Sequence, residues 1–300
     1  MASVSTDESS TTCTSPPPRV LSIQSHVIHG YVGNKAATFP LQLWGFDVDP
    51  VNTVQFCNHT GYPSFTGTKL KREELVDLME GLAANKLDSY SHLLTGYIGN
   101  PIILEEIAAL LTKLRERNPT LQFVCDPVMG DHGKFYVPPD AVPQYKKMLS
   151  ITDVITPNQF EAELLLDMKI LTIEDGFKAC DKFHEIGVRT VILSSMDFAE
   201  DRIVSLASRK LAADAKPERL KLELAKLPYI FVGTGDLFTA SILNWTTKHP
   251  ADFKLAFEKA MATVQGVLRL TVACGGGELQ LVHSRQELEN PTVLVTAESV

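Results

Sequence analysis

The sequence predicts an α/β fold around one mainly parallel central sheet, and three observations carry that expectation. Short β-rich runs alternate with amphipathic helical stretches nearly from end to end. Several of those runs are apolar almost throughout, as strands covered on both faces are. Beyond residue 18 there is no internal repeat and no Pro/Gly/Ser linker, so one domain over 19–300 is expected.

Residues 1–18 are rich in Ser, Thr and Pro and lack the apolar centre of a signal peptide, so they read as a disordered tail. Arg19–Ser25 is the first strand run. A Gly-broken loop, Ser25-His-Val-Ile-His-Gly-Tyr-Val-Gly-Asn34, leads from it into a helix over Lys35–Trp44. Val51–Phe56 reads as a strand, Lys71–Ala84 as a helix, His92–Tyr97 as a strand and Pro101–Arg117 as a helix. Leu121–Asp126 and Asp153–Thr156 are strand runs, followed by a helical pattern over Ile173–Ile186. Thr190–Ser194, Arg202–Ala207 and Tyr229–Val232 complete the expected strands. A helix beginning at Asp236 and another over Ala251–Leu270 follow, and Gly275–Gly277 reads as a mobile turn.

Composition removes several function classes. A hydrophobic share of 44% with 21% charged residues is that of an ordinary globular protein. The net charge of −8 disfavours a broad nucleic-acid or anionic-membrane surface. No apolar run approaches the ~20 residues that span a bilayer. The five cysteines (Cys13, Cys57, Cys125, Cys180, Cys274) are odd in number and contain no C-x-x-C pair. That argues against a disulfide framework or structural zinc and fits a reducing cytosol. Cys125 stands in an apolar run and reads as core.

In open α/β sheets, ligands gather beyond the carboxyl ends of the strands. Polar groups stand at six such ends: Ser25-His26, Gly96-Tyr97, Asp126-Pro127, Thr156-Pro-Asn158, Ser194-Ser195 and Gly233-Thr-Gly-Asp236. The last is the most informative. Gly233 and Gly235 can turn their amides toward one point, and the start of a helix adds free N–H groups and its positive dipole end. Asp236 would stand there as a proton acceptor for a substrate alcohol. Taken alone, the tetrapeptide fits a plain helix N-cap equally well. Asp126 and Asp131 bracket Pro127-Val-Met-Gly130, and Glu161 follows Thr156-Pro-Asn-Gln-Phe160; together they suit magnesium with phosphate oxygens, while each alone suits a turn or a helix's first turn. No G-x-x-x-x-G-K-[ST] is present, and Phe238 breaks a G-x-G-x-x-G, so neither a P-loop nor a dinucleotide fingerprint is supported. His26 and His29 lack the spacing of a helical zinc pair.

Longer matches go further. Leu21-Ser-Ile-Gln-Ser-His-Val-Ile28, Gly30-Tyr-Val-Gly-Asn-Lys-Ala-Ala-Thr-Phe-Pro40, Asn58-His-Thr-Gly-Tyr62, Val124-Cys-Asp-Pro-Val128, Ile155-Thr-Pro-Asn-Gln-Phe-Glu-Ala-Glu-Leu164 and Phe231-Val-Gly-Thr-Gly-Asp-Leu-Phe238 closely resemble eukaryotic pyridoxal kinases, from about Arg19 to the end of the chain. The resemblance implies a ribokinase-like three-layer sandwich and ATP-dependent phosphorylation of the hydroxymethyl group of pyridoxal, pyridoxine and pyridoxamine. It assigns Asp236 as proton acceptor in the Gly233–Gly235 turn. It places the pyridine ring against Ser25, Thr60, Val32, Phe56 and Tyr97. ATP would meet Asp126, Asn158, Ser194, Ser195, Thr234, Leu227, Pro228 and Tyr229. The metal would meet Asp126, Asp131, Thr156, Glu161, Ser194 and Thr234. Magnesium or zinc, potassium or sodium, a homodimer and a cytosolic location belong to the same implication.

The sequence departs from the mammalian pattern in three places. The flap-like loop between Gly130 and Tyr136 is shorter, the segment between Ser195 and Ile203 is shortened, and Ser194 replaces a Thr. These changes bear on ATP affinity and lid closure rather than on the reaction. Two alternatives stay open at this level: a related kinase acting on a sugar, nucleoside or hydroxymethylpyrimidine, and a catalytically silent protein that binds the vitamin.

Overall fold

The computed structural model describes residues 17–212 and 214–300, so the expected tail lies outside the described residues apart from Pro17 and Pro18. The chain opens with β1 (Arg19–Val27), α1 (Asn34–Leu43), β2 (Asp47–Phe56), β3 (Gly67–Lys69), α2 (Arg72–Ala84), β4 (His92–Thr95), α3 (Pro101–Arg117) and β5 (Gln122–Cys125). A small hairpin of β6 (Gly130–Asp131) and β7 (Lys134–Phe135) follows, then α4 (Ala141–Met148), β8 (Val154–Ile155), α5 (Gln159–Leu166), α6 (Ile173–Ile186) and β9 (Thr190–Met196). The last part holds β10 (Arg202–Arg209), β11 (Glu218–Ala225), α7 (Thr234–Lys248), α8 (Phe253–Ala273), α9 (Arg285–Glu289) and β12 (Glu298–Ser299).

Ten strands form one sheet in the order β12-β11-β10-β9-β8-β5-β4-β1-β2-β3. The six from β9 to β2 run parallel, while both margins are antiparallel. Successive residues of the parallel strands enter opposite cores, as the pleat requires. Leu21, Leu93, Phe123, Ile155 and Val191 face one core with Leu75 of α2, Ile107 of α3, Tyr145 of α4, Ala162 of α5 and Phe183 of α6. Val20, Leu94, Val124, Val154 and Ile192 face the other, against Leu41 of α1, Leu237 of α7, Phe257 of α8 and Leu288 of α9. The result is the expected three-layer α/β/α sandwich. Burying one such side chain contributes roughly 1.5–3 kcal/mol, against about 0–1 for an exposed ion pair, so the two cores hold the layers together.

The order of strands also locates a crevice. From β1 the chain passes through α1 to β2 on one side and later places β4 on the other, with α1 and α2 on opposite faces. Neighbouring connections diverge there, beyond the carboxyl ends of β1 and β4, where Ser25 and Tyr97 stand.

Two expected elements need correction, and one strand was missed. Tyr229–Val232 forms no strand: Ile230 is 95% exposed, Pro228 lacks an amide donor, and no strand lies alongside. The strand of that region is β11, whose Leu220, Leu222 and Leu224 point inward and alternate with outward Arg219, Lys221 and Glu223. Its Leu, Glu and Lys residues favour helices, and pairing with β10 overrides that preference. Helix α7 starts at Thr234, two residues before Asp236, which therefore lies inside the first turn. The Gly233–Asp236 turn consequently follows a loop: the eight residues 226–233 carry the chain from a marginal strand back over the sheet's centre. Pro50 sits in β2 where that strand has no outer neighbour, so its missing donor costs no ladder bond.

Candidate active site

At the start of α7, Gly233 occupies the N-cap position with φ 85° and no side chain caps the helix. The Gly233 carbonyl accepts from the Leu237 amide at 3.1 Å, leaving the N–H groups of Thr234, Gly235 and Asp236 without intrahelical partners. A Cβ on Gly233 would lie 2.0 Å from the Tyr31 carbonyl oxygen, so only glycine lets the turn press against the loop after β1. Gly33 plays the matching part on that loop, with φ 54° and space for a Cβ blocked by the Ser25 carbonyl at 2.1 Å. The two loops thus meet through backbone.

Asp236 is half-buried at this meeting point. Burial pushes its carboxyl up to about 6, partly offset by a hydrogen bond donated by the Gly33 amide. Asp126, at the tip of β5, is buried, with the Thr239 hydroxyl donating to Oδ2 at 3.3 Å. Burial raises its carboxyl well above the usual range, and the charges of Glu161 and Asp236 raise it further. Glu161 is held at about 8, again mainly by burial. Three acids therefore gather beyond the strand ends, and among the described residues the charges that act on Asp126 are those of Glu161 and Asp236. Among the described residues no three His, Cys, Asp or Glu side chains converge closely enough to hold a metal ion by themselves. The donor set fits a divalent cation that arrives on nucleotide phosphates, because cationic charge is what these carboxylates lack.

Glu161 also organises backbone. Its Oε1 accepts from the Met129 amide at 2.9 Å and its Oε2 from the Asn158 amide at 2.9 Å, closing a capping box with Asn158 at the head of α5. Asn158 Nδ2 donates to the Gly130 carbonyl at 2.8 Å. Both residues thereby fix the base of the β6–β7 hairpin, whose turn residues His132 and Gly133 take φ 46° and 78°. Asp131 stands in that hairpin and accepts from the His132 amide at 2.9 Å, and its charge acts on Glu161. Thr156 is buried and bonds through its hydroxyl to Thr239 at 2.8 Å. Ser194 and Ser195 are half-buried near the end of β9, with the Ser194 amide donating to the Pro157 carbonyl at 2.9 Å. Leu227, Pro228 and Tyr229 lie on the crossing loop, where Tyr229 and Phe231 place their rings 6.1 Å apart.

On the other side of Asp236, Val32, Phe56 and Tyr97 pack together with Val27 and Val54 in a small apolar cluster of their own. Ser25 is buried beside it, under Gly33. Thr60 is exposed on the following loop and joins no part of the cluster. Thr239 is a residue that sequence reasoning missed. It binds both Asp126 and Thr156 and locks α7 to the tips of β5 and β8. Its spacing of three from Asp236, on one helix face, was the available signal.

A base must be ionised to accept a proton, and Asp236 is ionised above about pH 6. We expect kcat/KM to fall about tenfold per pH unit below that value and to level off above it. A rate profile between pH 5 and 8 checks this; one that stays flat through pH 5–6 excludes Asp236 as the titrating group.

Comparisons with known proteins agree with this geometry. The family described as phosphomethylpyrimidine kinase matches residues 89–282. Pyridoxal kinase of Arabidopsis thaliana is 46% identical over 291 residues, covering 93% of this chain and 94% of the relative. The Homo sapiens enzyme is 44% identical over 304 residues, covering 93% and 97%. The structure of Leishmania donovani pyridoxal kinase in complex with ADP and pyridoxine superposes with a TM-score of 0.88 at 38% identity, covering 94% of this chain and 99% of that one. With the cleft, the glycine turn and the near full-length likeness all in agreement, the chain belongs to the pyridoxal kinase family.

Proposed function

We propose that this chain transfers the γ-phosphoryl group of ATP to the hydroxymethyl oxygen of pyridoxal, pyridoxine or pyridoxamine, giving pyridoxal 5'-phosphate and the related esters. The observation that carries the reading is the contact between the α7 turn and the loop beside the apolar cluster. It sets an acid and three free amides next to a surface suited to a flat ring. Relatives solved with ADP and pyridoxine or pyridoxamine support it.

Phosphoryl transfer asks a protein mainly for positioning and charge neutralisation. The amides of Thr234, Gly235 and Asp236 hold the transferring group at the positive end of α7. Val32, Phe56 and Tyr97 take the pyridine ring, Ser25 and Thr60 its polar edge, and Asp236 orients the alcohol and accepts its proton as the new O–P bond forms and the γ-phosphorus bond to the bridging oxygen breaks, releasing ADP. Asn158, Ser194, Ser195, Leu227, Pro228 and Tyr229 line the nucleotide side. Asp126, Asp131, Thr156, Glu161, Ser194 and Thr234 would hold magnesium or zinc together with ATP, and the metal would supply positive charge against the phosphates. A monovalent cation (potassium or sodium), a homodimer, a cytosolic location and a single domain over 19–300 complete the proposal.

The family match over 89–282 favours a second reading, phosphorylation of a hydroxymethylpyrimidine. A coupled assay decides between them: pyridoxal phosphate formation, read by absorbance, with ATP, magnesium and potassium, alongside competition by ribose and hydroxymethylpyrimidine. Product from pyridoxal, unaffected by the other two compounds, supports the first reading. ATP consumption with hydroxymethylpyrimidine alone would replace it, and no ATP consumption at all would leave a binding protein.

A further inference from the structure

One carboxylate outside the acid cluster gathers three distant segments. Glu278 follows Gly275, Gly276 and Gly277, whose φ angles of 98°, 80° and 89° turn the chain back toward the crevice. Its Oε2 accepts from the Tyr31 amide at 3.1 Å. Its Oε1 accepts from the Tyr62 hydroxyl at 2.9 Å and lies 3.1 Å from His59 Nε2. The Glu278 and His59 side chains are only 15% and 14% exposed. Gly30 leaves room for this carboxylate, since a Cβ there would come within 2.4 Å of it. Tyr62 packs in turn against His59 and edge-on to His29, with ring centroids 4.7 and 6.4 Å away.

We propose that Glu278 is a positioning residue for the alcohol pocket, pinning the loop 57–66 onto the loop 28–33; this rests on the function proposed above. The first loop carries Thr60 and the second leads into Val32, so their spacing sets the pocket's width. Besides the edge-on contact of Tyr62 with His29, the two loops meet through the Ile28 and His29 amides, which donate to the Phe56 and Cys57 carbonyls at 2.9 Å at the strand ends. Beyond that point Glu278 supplies the tie. An ionised acceptor of several donors makes a stronger tie than a neutral one. The same carboxylate holds the Tyr31 amide, and the Tyr31 carbonyl abuts Gly233, so the pin also steadies the wall against which the α7 turn rests. Gly276, two residues before it, packs under the Tyr229 ring on the nucleotide side. Pocket and nucleotide loop are thus tied at one point.

Three variants test the assignment: Glu278→Ala, Glu278→Gln and Tyr62→Phe. Glu278→Ala is expected to raise KM for pyridoxal about 10- to 100-fold with kcat changed less than about threefold, and Glu278→Gln to recover part of the loss. Tyr62→Phe should raise KM by about 3- to 10-fold, and combining it with Glu278→Ala should add nothing further. Pyridoxine binding to nucleotide-free enzyme, measured by calorimetry, should weaken by the same factors. A wild type that neither binds nor phosphorylates the vitamer would overturn the underlying reading and this one with it. An active wild type whose Glu278→Ala variant keeps its vitamer KM and affinity, or loses kcat alone, would overturn the pin by itself.

Discussion

Asp236→Asn is expected to lower kcat about 10²–10⁴-fold while the protein folds at least as well as wild type. The substitution keeps the shape of the side chain and an oxygen for the Gly33 amide, and removes only the capacity to take a proton. The stability sign follows from linkage. In the fold this carboxyl sits at about 6, above its ordinary 3.8, so the folded protein holds its proton more tightly than the unfolded chain. Above pH 6 the ionised group therefore works against folding, and a neutral amide relieves that. Thermal unfolding at pH 7.5 should show a Tm equal to or above wild type, alongside the drop in turnover. Near-normal turnover would reject Asp236 as the acceptor; a lowered Tm would reject the electrostatic account of its surroundings.

Gly233→Ala is expected to damage both activity and stability. The backbone there has φ 85°, a conformation that costs an L-residue about 1–2 kcal/mol, and the added methyl would meet the Tyr31 carbonyl at 2.0 Å. Neither atom is the end of a flexible side chain, so the turn itself has to move. A displacement near 1 Å at a catalytic centre costs about 10²-fold in rate. Turnover should fall by at least that factor, with a measurable loss in urea-unfolding free energy. Gly235→Ala provides the comparison, since its nearest neighbour would be Asp126 Oδ2 at an ordinary 3.5 Å and its φ is unremarkable. Equal effects at the two glycines would refute the steric argument.

How much of this was legible follows from which interactions are local. Polar residues after apolar runs marked the strand tips, and Ser25, Asp126, Thr156 and Ser194 all stand there because the alternation of apolar segments is a local property. The capping box from Asn158 to Glu161 lies within four residues and could be seen in advance. The Thr239 bridge offered only its helix-face spacing from Asp236, because its partners are 83 and 113 residues away and meet it only after the sheet closes. Glu278 is further still, 247 residues from the amide that it holds. Strand β11 was hidden by helix-favouring residue types although its alternation was in plain view. The apolar run Tyr229–Val232 misled because its β-branched and aromatic residues favour strands, while here they lie exposed on a loop with Ile230 at 95%.

The segment 226–233 has a further consequence. Its ends are separated by four strand spacings, from β11 to the tip of β5, or roughly 19 Å at about 4.8 Å each. Eight residues stretched out reach at most about 26–29 Å, so the crossing uses roughly two-thirds of the available length, and the rest is taken up by turns such as the one closed by the Tyr229 amide on the Leu227 carbonyl. What seats the head of α7 is therefore the backbone contact between Gly233 and Tyr31 rather than tension in the link, and shortening 226–233 by one residue is expected to leave that seat in place.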